Sequence, residues 1–548
     1  MTHIQSALTQ LFSKHRIVFW YDTHRELRGE FESLLLPGIE LIELGNNEFN
    51  VKYRILRQQP DQKFLIYHEG PAPQDLENWL LDVQLAEGEF RADQIALWLA
   101  ELGLGYEYTE LVQAHAGFFG NEQRRLQLKA ALHLQDSHNA IRLKMLAICA
   151  AAEPRMDEIL EILLADLAFK QNEHFQLIQQ CNLDAFLWER LGRTFGYQSK
   201  TPGIQDFAIE LFKSCYALEL GQPASFSNDA RVFLKRWKDS ISQHEVFEVL
   251  SEQYANLLNI EQDLHKQDFR KLAGMDIFRM IDQKVISDLV NAVSSRTIPP
   301  SDVAAIIRQR RQGHWYKTFQ HIYDTIDNAA QFIKTLDETK LSVETFGEGL
   351  QRYSQTWYQL DQLYRKTIFH TRKSGHPPVL EPLVELIENL YNNNYLLTVN
   401  NNWQPVVDAV NHWTGTSSFP LQSQFYENWV NQKFLQNNKK IYVIISDSLR
   451  YEVAEDLLSL VRREDRYEAV LEPMLSMLPS YTQLGMAALL PNQALSFADN
   501  DSGTVIVDGI NSQGTANRDK ILKQAIGKSS AIRAEDLLSL NRDNCRDL

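Results

Sequence analysis

The sequence is poor in cysteine and lacks any long apolar stretch. Only four cysteines occur among 548 residues, widely spaced and in no Cys-x-x-Cys pair, which argues against a disulfide framework or a zinc knuckle. No apolar run approaches the roughly 18 residues that a bilayer-spanning helix needs. The first residues also lack the charged and apolar regions of a signal peptide. We therefore expect a cytoplasmic protein with no membrane partner.

The chain also lacks an excess of basic residues. It has 55 Lys and Arg residues against 71 Asp and Glu residues, and its formal net charge is −16. Nonspecific nucleic-acid binding requires many phosphates to be neutralised, so this composition disfavours a protein that coats DNA. Residues 308–316 mix arginines, a histidine and two aromatic residues in the way single-strand binders do. We favour a solvated helix end for this segment.

A glycine-rich phosphate-binding loop is missing as well. Gly527 opens a Gly-Lys-Ser string that imitates the end of a P-loop, but Leu522 stands where that loop needs a glycine. A helix C-cap is the interpretation that we favour for this string. His370 and His376 lie close in sequence but match no common zinc spacing, so we expect them to be surface residues.

Residues 1–115 alternate strand-like and helical patterns. Apolar runs predict strands at 16–22, 39–44 and 63–68, and helical spacing predicts helices at about 26–36 and 76–85. This order indicates a small α/β domain with a parallel, Rossmann-like sheet. Asp22 ends the first strand, but no glycine-rich loop follows it. We therefore interpret this domain as a docking module and not as a nucleotide site.

From residue 116 to about 430 the pattern is almost wholly helical. Ser301 is a plausible N-cap for one of these helices, and several tryptophans suit the seams between helices. Residues 414–420 are the best candidate for a linker, and residues 431–548 again read as α/β. The fold class expected is a multidomain α and α/β protein with a small N-terminal α/β domain and a large helical middle region.

The most informative segment is the apolar run at 441–445, which leads directly to Asp447. Five β-branched or aromatic residues predict a buried parallel strand, and ligands gather at the carboxyl ends of such strands. The next residues predict an amphipathic helix that packs back on the sheet, with Leu457 and Leu460 on its apolar face and Glu452 on the other side. Asp447 could bind Mg, Mn or Zn, or it could simply cap that helix.

A second segment of this kind follows. A short strand is predicted at 468–472, and a loop then enters a short apolar helix bracketed by two prolines. Thr482 lies in the first turn of that helix, where unpaired amides attract phosphate. A hydroxyl beside a metal held by Asp447 can ionise and attack phosphorus. The alternative is that Thr482, or Ser480, is only an N-cap.

These two segments resemble a known family. The Asp-Ser-Leu-Arg turn at 447–450, the Tyr-Glu-Val-Ala-Glu string that follows it, and the Ser-Tyr-Thr-Gln-Leu-Gly-Met-Ala-Ala-Leu-Leu-Pro segment at 480–491 resemble the PglZ proteins of BREX bacteriophage-exclusion systems. PglZ proteins carry a domain of the alkaline phosphatase superfamily. The resemblance is specific at 439–491 and diffuse over the rest of the chain.

The resemblance implies a set of roles and partners. Asp447 would be a metal ligand, Thr482 would be both nucleophile and ligand, and Arg450 is a candidate for holding nonbridging phosphate oxygens. Two divalent ions (Zn, Mg or Mn) would be the cofactors. The protein would be a metal-dependent phosphatase or phosphodiesterase/nuclease that works with other BREX proteins. Nucleic acid is a further partner that the resemblance allows for the complete protein.

One departure from the superfamily pattern bears on this expectation. The superfamily completes its two-metal site with a later Asp and His and with an Asp-His pair, but no histidine follows His412 in this chain. Either the chain is an N-terminal portion of a longer protein, in which residues 431–548 begin an incomplete alkaline-phosphatase-like domain, or the chemistry is lost. We expect the 548-residue chain to hydrolyse phosphate esters poorly. The competing hypothesis is a non-catalytic scaffold for other defence-system proteins.

Two further expectations concern the segment after Thr482. Asp508 follows the apolar strand predicted at 505–507 and could reach the same sheet edge as Asp447, although a turn residue is the interpretation that we favour. In an incomplete sheet, residues 505–507 should form an exposed edge strand.

Overall fold

The computed structural model describes residues 3–23, 25–90, 94–435, 440–498, 502–541 and 544–545. Most of these residues are helical, and they form two compact units. The first unit comprises residues 1–263 with 277–279, and the second comprises residues 264–276 with 280–548. The predicted division at 115 and 430 stays a prediction.

The first unit begins with a small parallel sheet, as predicted. Its strands are β1 Ile17–Tyr21, β2 Ile39–Glu43, β3 Lys63–His68 and β4 Gly88–Phe90. The strand order is β2-β3-β1-β4, and every neighbouring pair is parallel. The apolar runs predicted the first three strands, whereas β4, with only three residues, was missed.

The sheet is buried on both faces because β1 is apolar at every position and β3 is apolar from Phe64 to Tyr67. Successive side chains of β1 point to opposite sides. Trp20 packs with Leu65 on one face, while Phe19 packs with Phe64 and Ile66 on the other. Burial of both faces of the sheet therefore explains the continuous apolar pattern of β1 and β3, as the sequence indicated.

Short helices flank this sheet. They are α1 His3–Leu11, α2 Arg28–Glu32, α3 Glu48–Tyr53, α4 Leu81–Ala86 and α5 Gln94–Leu102. The helices predicted at 26–36 and 76–85 exist as α2 and α4 but are shorter. The predicted α2 began too early because residues 26 and 27 form the loop that binds Asp22.

The Asp22 carboxylate hydrogen-bonds both to that loop and to β3. Its buried carboxylate accepts hydrogen bonds from the backbone N–H groups of Glu26 (3.1 Å) and Leu27 (2.8 Å) and from the Tyr67 hydroxyl (2.8 Å). Burial, together with this bond to Asp22, raises the pKa of Tyr67. Asp22 therefore holds the end of β1 to its loop and to β3.

The rest of the first unit is helical. Its helices are α6 Thr109–Ala114, α7 Ala116–Phe119, α8 Glu122–Ala131, α9 His138–Cys149, α10 Met156–Ala168, α11 Glu173–Gln180, α12 Asp184–Phe195, α13 Ile204–Glu219, α14 Asn228–Lys238, α15 His244–Leu257 and α16 Ile260–Leu264. Trp237 is fully buried between aromatic rings of α13, α14 and α15, among them Phe212 and Phe247. This position confirms the expectation that tryptophans lie in seams between helices.

The second unit is helical through most of its length. Its helices are α17 Phe269–Leu272, α18 Arg279–Ser294, α19 Pro300–Arg310, α20 Tyr316–Glu338, α21 Phe346–Arg352, α22 Tyr358–Lys373, α23 Glu381–Asn389, α24 Leu397–Asp408, α25 Tyr451–Arg462, α26 Thr482–Ala488, α27 Thr515–Ala525 and α28 Ala534–Leu538. Pro299, and not Ser301, is the N-cap of α19. None of the helices among the described residues has the length and apolar character that a bilayer-spanning segment needs.

The predicted solvated helix end at 308–316 is wrong for its central residues. Arg310 is buried and donates to Asp282, whose carboxylate also accepts a 2.6 Å hydrogen bond from Tyr323. Trp315 is buried and donates to the carbonyl of Asp276 (3.1 Å). Arg310 lies one turn after the buried Ile306, on the inner face of α19. This position on the helix, and not the charge of the side chain, determines that Arg310 is buried. These two side chains are core residues and are not available for stacking with bases.

The last part of the second unit contains a small antiparallel sheet. Its strands are β5 Leu495–Phe497, β6 Val505–Val507 and β7 Ile510–Asn511, in the order β5-β6-β7. The strand predicted at 505–507 is therefore present, but the expectation that it would be an exposed edge is wrong, because it pairs on both sides. Its valines pack with Leu484 of α26 and Ile521 of α27.

A substitution tests the role given to Asp22. Asp22→Ala should leave three donors without their acceptor and destabilise the sheet domain by about 3 kcal/mol, because each buried unsatisfied polar group costs about 1–3 kcal/mol. Hydrogen exchange of the β1 and β3 amides in the full chain measures this. The exposed Asp61 gives the matched control, and Asp61→Ala should leave those amides unchanged. Equal protection in Asp22→Ala and the native chain would contradict the assigned role.

Candidate active site

Asp447 lies in a loop and not at the end of a strand. Residues 441–446 have no regular secondary structure, and Tyr442 and Ile444 are 71% and 88% exposed. The predicted buried strand at 441–445 is therefore wrong, and residues 468–472 likewise do not form the second predicted strand. A strand needs neighbours for its backbone N–H and C=O groups, and no described strand lies beside 441–445.

A tight turn fixes the Asp447 side chain. Ser448 has a positive φ of 57°, and its backbone N–H donates to Asp447 Oδ1 at 3.0 Å. Arg450, three residues on, is the N-cap of α25. Asp447 therefore does not cap α25, and the capping alternative for Asp447 is wrong. Its carboxylate is exposed and keeps free lone pairs for a further ligand.

Thr482 is the first residue of α26, and its hydroxyl faces Asp447. Thr482 Oγ1 lies 3.3 Å from Asp447 Oδ1 and 3.5 Å from Asp447 Oδ2. The N-cap of α26 is Tyr481, and no side chain caps this helix. The alternative that Thr482 or Ser480 serves only as an N-cap is therefore wrong. The fold brings together the two residues that the sequence singled out.

Arg450 does not join this pair. Its side chain is 70% exposed, and its guanidinium lies 3.4 Å from Glu452 Oε1. In the described part of the chain, no hydrogen bond or ion pair connects Arg450 to Asp447 or Thr482. Arg450 is thus close to Asp447 in sequence, but its side chain points toward Glu452 of α25.

Helix α25 packs by the side that the sequence analysis expected to be exposed. Glu452 is buried, whereas Leu457 and Leu460 are exposed. The helix lies with its acidic side against α22, since no described sheet covers its apolar side. The predicted packing of Leu457 and Leu460 on a sheet is therefore wrong.

Arg365 of α22 holds α25 in this orientation, a role that the sequence analysis missed. Arg365 Nε donates to Glu452 Oε2 at 2.8 Å, and Arg365 also pairs with Asp456 at 2.5 Å. Lys366 pairs with the other oxygen of Asp456 at 2.7 Å. Partial burial opposes the charge of Asp456, but Lys366 and Arg365 outweigh it and lower the pKa of this carboxyl. Glu452 and Asp456 lie one turn apart on the same side of α25, and only this spacing could have indicated that both carboxylates pair with one basic residue.

Asp508 is a turn residue, as favoured from the sequence. It has a φ of 48°, and its carboxylate accepts hydrogen bonds from the backbone N–H groups of Gln493 (3.0 Å) and Ala494 (2.7 Å). These bonds tie the start of β5 to the end of β6, so the carboxylate is used for structure.

The Asp447–Thr482 pair fits a divalent cation by its donor chemistry. A carboxylate and a hydroxyl are oxygen ligands of the kind that Mg, Mn and Zn accept. Both side chains are exposed and close enough to share one ion. Among the described residues, no pair of further His, Cys, Asp or Glu side chains completes a cluster around Asp447. The described residues thus place two oxygen donors, one carboxylate and one hydroxyl, side by side at this position.

Comparison with known proteins identifies the domain that contains this pair. Residues 425–548 match the family model described as the BREX system PglZ alkaline phosphatase-like domain. The chain is 30% identical over 580 residues to the alkaline phosphatase-like protein BrxZ of Escherichia coli O9:H4 (strain HS), covering 99% of this chain and 66% of that protein. It is 25% identical over 553 residues to the alkaline phosphatase-like protein PglZ of Bacillus cereus (strain H3081.97), covering 98% of this chain and 64% of that protein.

The similarity runs along the whole chain, although the chain spans slightly less than two thirds of the length of each of these curated relatives. No solved structure matches the chain. The domain match contains both Asp447 and Thr482, and the two relatives carry the same alkaline-phosphatase-like description. The chain belongs to the PglZ family of alkaline phosphatase-like proteins of BREX systems.

Proposed function

We propose that this protein is a metal-dependent phosphohydrolase that acts in BREX phage defence. The observation that carries the proposal is the 3.3 Å approach of Thr482 Oγ1 to Asp447 Oδ1 across 35 residues of sequence. Membership of an alkaline-phosphatase-like family supports it, since divalent ions are the usual cofactors of that family. Asp447 and Thr482 are the proposed metal ligands, and Zn, Mg and Mn are the candidate ions.

The proposed reaction is phosphoryl transfer to Thr482. A divalent ion at this site supplies charge that favours the ionised hydroxyl and offsets the negative charge of the phosphate. Thr482 Oγ1 forms a bond to phosphorus while the bond from phosphorus to the ester oxygen breaks, and the alcohol leaves with a proton. Water then attacks the phosphothreonine, which releases phosphate and restores the hydroxyl. Asp447 orients the threonine oxygen through the contact already present.

Arg450 is proposed to hold nonbridging oxygens of the phosphate. Its exposed guanidinium sits three residues from Asp447 and has only one close acidic partner among the described residues, the buried Glu452. An arginine fork matches the geometry of phosphate oxygens. A change of side-chain rotamer would be needed to turn it from Glu452 toward a substrate.

A non-catalytic scaffold is the second candidate function, and one observation favours it. Exposed aromatic rings stand on the first unit beside the parallel sheet: Phe49 and Trp79 are mostly exposed, with ring centroids 4.9 Å apart. Tryptophan is over-represented among residues that dominate binding interfaces. We propose that residues 1–115 dock other BREX proteins through this pair, and that the protein acts in the cytoplasm.

The first prediction concerns the nucleophile. In a chain extended to the full length of the curated relatives, Thr482→Ala should lower the hydrolysis of a generic phosphate monoester or diester by about 10³-fold or more, as loss of a nucleophile does. The melting temperature should stay the same, because Thr482 caps no helix. Thr482→Ser should keep part of the activity. Ser480→Ala, two residues earlier in the exposed loop that precedes α26, is the matched control and should be fully active. An active Thr482→Ala protein would refute the covalent mechanism.

The second prediction concerns the metal. Asp447→Asn should weaken Mn²⁺ binding by about tenfold or more, because it removes the charge of the one carboxylate in the proposed pair of ligands. Titration calorimetry of the chelator-treated chain measures this. Asp465→Asn, at an exposed carboxylate after α25, changes the net charge by the same amount and should bind Mn²⁺ as the native chain does. Equal weakening in both variants would mean that Asp447 acts only through general charge.

The third prediction tests the docking proposal. In the full chain, Trp79→Ala with Phe49→Ala should lower the capture of co-expressed BREX proteins by about tenfold, the size expected from losing aromatic anchors. Phe169→Ala, at an exposed aromatic ring outside residues 1–115, is the control and should have no effect. Unchanged capture by the double variant, or equal loss in the control, would locate the docking surface elsewhere.

A further inference from the structure

Two neighbouring helices of the second unit bring two histidines and an aspartate together. His321 and Asp324 lie one turn apart on α20, and His370 lies on α22. The Nδ1 atoms of His321 and His370 are 3.0 Å apart, and Asp324 Oδ2 is 3.7 Å from His370 Nδ1. One ligand atom from each residue lies within 4.8 Å of the others.

The expectation that His370 is a surface residue is wrong. Its side chain is only 19% exposed, and Asp324 is similarly enclosed. The cluster was missed because its two partners come from another helix, 49 residues earlier in the chain for His321. Spacing rules for zinc sites detect ligands within one short segment, and they miss ligands that two packed helices bring together.

The groups around the cluster orient its carboxylate. Asp324 Oδ1 accepts from the Tyr316 hydroxyl (3.4 Å) and lies 3.9 Å from a guanidinium nitrogen of Arg311. These contacts leave Oδ2 facing His370, as outer partners of a metal-binding carboxylate do. Lys366 lies one turn before His370 and pairs with Asp456 at 2.7 Å. The Asp456 carboxylate therefore offsets the positive charge of Lys366.

The Nδ1 atoms of His321 and His370 face each other. Two Nδ1 atoms at 3.0 Å cannot both carry a proton toward each other, so at least one faces the other with its lone pair. The neutral ring is the ligand form of histidine.

Two of the spacings in the cluster are also compatible with a tetrahedral ion. Zn–N bonds of about 2.0–2.1 Å at a tetrahedral angle place ligand atoms roughly 3.3 Å apart. The two measured separations of 3.0 and 3.7 Å lie on either side of that value. At 3.7 Å, Asp324 Oδ2 is too far from His370 Nδ1 for a hydrogen bond. A shared ion would satisfy all three groups.

We propose that His321, Asp324 and His370 bind one Zn²⁺ ion, which clamps α20 to α22. Two imidazoles and one carboxylate are ligands that zinc accepts, and three protein ligands leave a fourth position for water. This site is separate from Asp447 and Thr482. It stabilises the helix whose Arg365 anchors α25.

The test uses the full chain carrying Asp447→Asn, so that the other candidate metal site is weakened. After treatment with a chelator, we expect one Zn²⁺ per chain by calorimetry, and a higher melting temperature with Zn²⁺. Adding His321→Gln or His370→Gln should weaken binding by about 100-fold or more, since loss of even an outer partner costs about 10- to 100-fold. His376→Gln is the matched control, because this exposed histidine lies just beyond α22. It should leave binding unchanged.

A second measurement keeps the proposal testable if the histidine variants fail to fold. X-ray absorption of Zn²⁺ bound to the Asp447→Asn chain should show two imidazole ligands with the remaining ligands oxygen. One imidazole or none would overturn the site. Absence of Zn²⁺ binding, or native binding by folded His321→Gln and His370→Gln chains, would overturn it as well.

Discussion

The buried carboxylate of Glu452 is the constraint on which the arrangement of the candidate active site depends. A buried ion costs several kcal/mol in solvation and persists only where it is paired. Arg365 supplies that pairing for Glu452 and reaches Asp456 as well, so α25 lies against α22 by its acidic side. Glu452 Oε1 accepts no hydrogen bond in the described part of the chain, but it lies 3.4 Å from the Arg450 guanidinium and forms an ion pair with it. Asp447 lies in the loop just before α25, and its position follows from this anchor.

Helix α22 links this anchor to the proposed zinc site. Arg365 and Lys366 face α25, and His370, one turn later, faces α20. A bound zinc ion would restrict the movement of α22 relative to α20, and the ion pairs of Arg365 and Lys366 restrict its movement relative to α25. Loss of either set would loosen the support of the loop that carries Asp447. The candidate active site thus rests on residues that lie in the helical region of the chain, outside the family domain match.

Sequence reasoning succeeded where one local pattern determines the structure. The apolar runs of β1 and β3 predicted the parallel sheet, and the apolar string bracketed by two prolines predicted the short helix α26. It failed where the outcome depends on distant partners. Residues 441–445 read as a strand, but the described residues supply no neighbouring strand. Arg310 reads as a surface charge, and it is buried because Asp282 and Tyr323 compensate it. His321 and Arg365 had no signal, since their partners come from other helices.

The central claim is that Thr482 is a nucleophile beside a metal ligand. The most direct test is to mix the protein with a phosphate ester and Mn²⁺, quench with acid, and locate any covalently bound phosphate by mass spectrometry. The account predicts phosphothreonine at Thr482, absent from Thr482→Ala and strongly reduced in Asp447→Asn. Ester hydrolysis with no phosphate on Thr482, or phosphate on another residue, would contradict it.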